Sequence, residues 1–210
     1  MLRVTLVFGL AGAGKSALAR HLLHDEHSNG FLCISDDDRT INFDSLFIDR
    51  DRSNWLADRR VYFKNGSAFG LSIERQLAHL TERSCPILAA RARQVIVFSS
   101  DVGQGLKWLA DTARESALKI ERLVVVVDCL RYYKAHFKNA LSDEDLELDI
   151  MIPLAHAVLL NKRDLCSKEI VNTVSERIKL LNENAVIEET RFGKANGFNL
   201  LLNTAPVPAV

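Results

Sequence analysis

The sequence predicts an α/β fold with a mostly parallel central sheet between helical layers. Three observations carry this. Short β-branched runs alternate with longer amphipathic ones, the order expected of strand–helix–strand crossovers. The run Leu123–Asp128 (LVVVVD) is apolar without alternation, as a strand covered on both faces must be. A glycine-rich turn joins the first apolar run to the first helical one.

The elements follow in order. Arg3–Phe8 reads as a buried strand and Lys15–His24 as a helix, with Leu18, Leu22 and Leu23 on one face. Phe31–Ile34 is a second strand, and Asp36–Asp44 a polar loop. Val61–Phe63 reads as a short strand ending at the turn signal Asn65-Gly66. A helix is expected over Leu71–Leu80, a strand over Gln94–Ser99 and a helix over Leu106–Ala117. Ala157–Leu160 is a further strand, Ser167–Leu181 an amphipathic helix, and Ala185–Glu188 the last strand. A short helix near Leu200–Leu202 precedes the Pro-containing tail 205–210, so residues 1–204 are expected to form one domain.

Composition narrows the function. The chain has 210 residues, 27 Lys+Arg against 27 Asp+Glu, and 48% hydrophobic residues. Balanced charge argues against a broad electrostatic grip on nucleic acid or on an anionic membrane. No apolar run reaches the roughly 18 residues needed to span a bilayer. Cys33, Cys85, Cys129 and Cys166 are scattered without metal-ligand spacing and read as reduced thiols of a cytoplasmic protein. His21, His24 and His27 are spaced by three at the end of the first helix. That spacing can place ligands on one face, but solvated helix-end histidines explain it as well.

Gly9-Leu10-Ala11-Gly12-Ala13-Gly14-Lys15-Ser16 satisfies G-x-x-x-x-G-K-[ST]. A chance match in a chain of this length has odds on the order of half a per cent. Gly9, Gly12 and Gly14 let backbone N–H groups, with those of Ala13 and Ala17, turn towards phosphate without Cβ clashes. Lys15 can reach the β- and γ-phosphates, and the Ser16 hydroxyl can bind Mg²⁺. The fold class is thereby refined to a three-layer P-loop NTPase fold. Asn161-Lys162-Arg163-Asp164 follows the strand Ala157–Leu160. An Asp in an N-K-x-D turn accepts two hydrogen bonds from guanine N1 and N2, a donor pair that adenine lacks. Lys162 packs along base and ribose, and Asn161 ties the loop together.

On these motifs the chain resembles the CobW/HypB/UreG family of P-loop GTPases, most closely its CobW-like branch. The segment Ser35–Asp44 resembles the branch's acidic stretch after the second strand, placing Asp37 at the acidic position and Asp44 at a later one. LVVVVDCLRYY and IPLAHAVLLNKRDL resemble the family's stretches before the guanine-reading loop, and Glu189–Gly193 its last base-contacting segment. The resemblance implies GTP or GDP with Mg²⁺, held through Ser16 and Asp37. It also implies a homodimer and a client protein, such as a metalloenzyme being matured.

Two departures stand against it. The family's Cys-x-Cys-Cys metal motif is replaced by Ser67-Ala68-Phe69-Gly70, and Ser, Phe and Gly supply no soft thiolate. At the end of Gln94–Ser99, Phe98 stands where the family has Glu, and Asp101 where it has Gly. The candidate catalytic set is therefore Lys15, Asp37 and Asp101, and weak or partner-dependent GTP hydrolysis is expected. A small-molecule kinase and a non-hydrolysing, nucleotide-gated interaction module remain alternatives. The chain also stops near the last base-contacting segment, so a bare G domain is expected where CobW-like proteins continue.

Overall fold

The computed structural model describes residues 2–24, 31–35, 61–63, 94–103, 106 and 118–191. Seven strands form one sheet: β1 (Leu2–Phe8), β2 (Phe31–Ser35), β3 (Val61–Phe63), β4 (Gln94–Ser99), β5 (Leu118–Asp128), β6 (Ala157–Asn161) and β7 (Val186–Glu189). Their order is β3-β2-β4-β1-β5-β6-β7, and every pairing is parallel. The predicted sheet is thus present. The expected helices over Leu71–Leu80 and Leu106–Ala117 and near Leu200–Leu202, the loop Asp36–Asp44 and the tail lie outside the described residues, apart from Leu106.

Period-two alternation sorts side chains to the two faces. Val7, Ile96, Phe98, Val124, Val126 and Leu159 pack with Leu18 and Ala19 of α1 (Lys15–His24). Leu6, Phe8, Val97, Leu123, Val125 and Val127 face the other way. There they meet α2 (Cys129–Phe137), α3 (Asp143–Met151) and α4 (Lys168–Leu181) through Tyr132, Leu148, Met151, Val174 and Ile178. The sheet is a filled middle layer, so the chemistry must sit at the strand ends.

Three differences from expectation have physical causes. β5 begins at Leu118, five residues before the apolar run. Its first part pairs Leu118–Ile120 with Leu2–Val4, and the register then shifts between Val4 and Thr5 so that Thr5 lies opposite Arg122. The charged residues there hide the strand. Residues 129–156 carry two helices that apolar periodicity did not reveal. Asp128 caps α2 by accepting from Arg131 N at 3.1 Å. Ser142 caps α3 in a reciprocal box with Asp145. α3 hides from a periodicity search because it is apolar on two opposite sides: Leu148 and Met151 are buried, while Leu146 and Ile150 are exposed. The third difference is small: Ser167 is the cap of α4, and its side chain accepts from Ile170 N.

Candidate functional site

The loop between β1 and α1 crosses the carboxyl end of the sheet. Gly9 N donates to Ser99 O at 3.1 Å, stitching the loop's first residue to the end of β4. A Cβ on Gly9 would stand 2.6 Å from the Val126 carbonyl oxygen, so only glycine lets the chain pass. Gly12 and Gly14 have φ of +77° and +107°, the left-handed region that glycine enters freely. Nothing lies within 4 Å of a Cβ built on Gly12, so backbone conformation alone requires glycine there. Lys15 is 6% exposed, and its Nζ donates to Gly9 O at 2.6 Å and Leu10 O at 3.2 Å. Ser16 and Ala17 follow it, half-buried, in the first turn of α1. A helix start, an arched glycine loop and a held ammonium together suit an anion with several oxygens.

The turn Asn161–Asp164 leaves β6 immediately beside this loop. Asn161 is buried, and its Nδ2 donates to Ala13 O at 2.9 Å. Its Oδ1 accepts from Thr190 Oγ1 at 3.1 Å. Thr190 N donates to Leu160 O, and Arg163 N to Thr190 O. One amide thus ties the phosphate loop, the β6 turn and the segment after β7. Lys162 adopts the left-handed conformation with φ 59° and ψ 31°. Its Nζ donates to Asp128 Oδ2 at 2.6 Å, a partly exposed ion pair. Asp164 is exposed in the 3-10 turn Arg163–Leu165. The sequence resemblance includes Thr190 in the Glu189–Gly193 segment and Asp128 at the end of LVVVVD, but gives neither a supporting role. The available signal was an Asp closing an apolar strand, the position from which it reaches both a helix start and the neighbouring strand's turn.

The remaining candidates divide. Phe98 is 2% exposed and packs into the α1 layer with Leu18 and Ala19. The residue departing from the family's acid is therefore a core residue. Ser99 takes over the strand end: its Oγ accepts from Asp101 N at 3.2 Å and donates to Asp101 O at 3.1 Å. Asp101 is exposed beyond β4, within electrostatic reach of Glu147. Burial first, and then Asp101, push the Glu147 carboxyl up. Asp37, Asp44, Asn65–Gly70, His27 and Cys85 lie outside the described residues. Cys129 and Cys166 are free, and burial pushes the Cys129 thiol up to about 12. Among the described residues, no group of three or more His, Cys, Asp or Glu could hold a metal ion. No helix described is long and apolar enough to cross a membrane.

The model of the CobW/HypB/UreG nucleotide-binding domain matches residues 3–188. The chain belongs to this family. It is 24% identical over 208 residues to zinc-regulated GTPase metalloprotein activator 1 of Schizosaccharomyces pombe, covering 95% of this chain and 48% of the relative. The Dictyostelium discoideum protein of the same name is 25% identical over 217 residues, covering 88% and 44%. The chain thus spans about half the length of the curated relatives it matches. HypB of Helicobacter pylori in complex with nickel aligns with a TM-score of 0.60 at 16% identity, over 96% of this chain and 86% of that one. Zn(II)-bound YjiA GTPase of E. coli aligns at 0.57 and 18%, over 89% and 56%. At these identities the two structures support the shared P-loop fold.

Proposed function

We propose that this family member binds GTP with Mg²⁺ and hydrolyses it slowly to GDP and phosphate, with the rate raised by a client protein. The observation that carries the reading is the Asn161 clamp, because it sets a guanine-type turn at a fixed place beside a phosphate-type loop. In this reading Gly9–Ala17 hold the phosphates, Lys15 shifts from the loop carbonyls to the β/γ oxygens, and Asp164 accepts from guanine. Lys162, steadied by Asp128, presents its stem to the base. Ser16 and Asp37 would hold Mg²⁺, which neutralises charge on the transferring phosphoryl group. Asp101, two residues past the β4 end, would orient water. The names of the curated relatives support a client that is a metalloprotein, and a homodimer is expected. Without the thiols at Ser67–Gly70, a bound transition metal needs other ligands.

Nucleotide titration tests the first step. Mant-GTP should bind at least ~100-fold more tightly than mant-ATP, because the Asp164 carboxylate stays unpaired with adenine. Asp164→Asn should move preference towards xanthosine nucleotides. Equal binding of mant-ATP sinks the guanine reading. Single-turnover hydrolysis by the isolated chain should be slow, and a rate typical of an efficient GTPase contradicts that part. The burial of Phe98 favours a second reading, a nucleotide-gated module without hydrolysis. Asp101→Ala separates the two by abolishing residual turnover only if turnover exists.

A further inference from the structure

The outer face of α3 exposes Leu146, Ile150 and Leu154 at 46%, 53% and 49%. A step of four places Leu146 and Ile150 on one side of α3, and Leu154 follows them in the 3-10 turn Ile152–Leu154. The inner face is already spent, with Asp145, Leu148 and Met151 buried. A surface helix ordinarily carries one apolar stripe, so a second one running its full length marks a contact surface.

The rim that α3 itself supplies is acidic, and the cations that meet it, Arg131 and Arg177, come from α2 and α4. From Asp143 to Leu154 there are five acids and no Lys or Arg. Asp143 and Glu144 are exposed and Glu147 is half-buried beside the stripe. Arg131 pairs with Glu144 at 2.7 Å and with Asp145 at 3.0 Å. Glu147 gathers like charge from Asp101, Glu144 and Asp143. Such crowding is relieved by a cation brought from outside. An anionic membrane would be repelled. A second copy would bring an equally acid-rich face against its equal.

We propose that this face docks a basic amphipathic helix of a partner protein. Its apolar side would lie on Leu146, Ile150 and Leu154, and its Lys or Arg residues on Asp143, Glu144 and Glu147. This is helix-against-helix recognition with spaced apolar anchors and a charged rim setting the choice of partner. The docking needs no bound nucleotide, so it can fail separately from the GTP reading.

The probe is a fluorescein-labelled helical peptide of about 18 Leu, Ala and Lys residues, Leu on one face and Lys flanking it. It is titrated against the full chain by anisotropy, alongside a version with Glu for every Lys. The Lys peptide should bind at least roughly tenfold more tightly than the Glu peptide, and added salt should weaken it. Ile150→Ser, Leu146→Ser and the double variant Glu144→Gln/Glu147→Gln should each weaken it by roughly tenfold, with unchanged melting curves. Leu180→Ser, which alters an exposed leucine on α4, should leave binding as it was. Equal binding of the two peptides, or unchanged binding to Ile150→Ser and Leu146→Ser, overturns the proposal. So does a dimer in sedimentation that Ile150→Ser converts to monomer, since a second copy would then own the face.

Discussion

The phosphate loop and the Asn161–Asp164 turn reach the same sheet edge by different means. The first is local: three glycines, two of them at positive φ, bend six residues around a lysine held by its own loop carbonyls. The second is borrowed. Its Asn161 is fixed by Ala13 and Thr190, and its Lys162 by Asp128 of the neighbouring strand. The local loop should depend less on its neighbours than the borrowed turn does.

The largest effect tests the local loop. Lys15→Ala should lower mant-GTP affinity at least ~100-fold, the loss of charge-assisted bonds to phosphate oxygens. Circular dichroism should show the fold retained, because the glycines still shape the turn. Unfolding of this variant would mean that the lysine, too, is structural.

Next comes the clamp. Asn161→Ala strands the Ala13 carbonyl and the Thr190 hydroxyl, which should cost about 2 kcal/mol in urea unfolding, with weaker nucleotide binding besides. Thr190→Val should cost about half that. A wild-type melt for Asn161→Ala would show that the loops hold together without it.

Smaller effects sort the two duties of Asp128. Asp128→Asn keeps an N-cap acceptor and loses the ion pair, which is partly exposed, so about 0.5 kcal/mol is expected. Asp128→Ala also loses the cap and should cost about 1 kcal/mol more. Equal effects would assign everything to the ion pair.

The smallest expected effect is acid sensitivity away from both loops. His156 Nδ1 accepts from Leu123 N at 3.0 Å, and burial, then Arg122, hold its pKa below the ordinary value. Burial likewise lowers His136, which lies 3.5 Å from Asp149 and close to Arg177. An unfolded imidazole titrates near ~6.5, so below that pH the unfolded chain takes up more protons than the folded one. Stability should therefore fall from about pH 6.5 down to the folded values and then level off. Urea midpoints at pH 7.5 and pH 5.5 measure this, and His156→Gln should narrow the gap.

The same contrast governs what the sequence reveals. The phosphate loop is readable because its requirements are written in consecutive residues. α1, β3 and β4 appear at their expected bounds because apolar period and flanking turns agree there. Asn161, Lys162 and Asp164 are readable as a motif, but their partners are not. Asp128 is marked locally only as an Asp closing an apolar strand, and Thr190 not at all, since both support the turn across strands. The early part of β5 is hidden by Lys119, Glu121 and Arg122, and α3 by its two apolar faces. Phe98 reads from sequence as a lost acid and in the fold as packing beneath α1.

The contact between Gly14 and Asn161 has a steric consequence. A Cβ on Gly14 would fall 1.9 Å from Asn161 Nδ2, so the amide occupies the volume a side chain would need. The two positions, 147 residues apart, share one space. Position 14 is closed twice over: the amide fills the space, and a φ of +107° would still demand glycine if the amide were lost. The glycine loop and the β6 turn are thus fitted into a single volume, each shaped around the other.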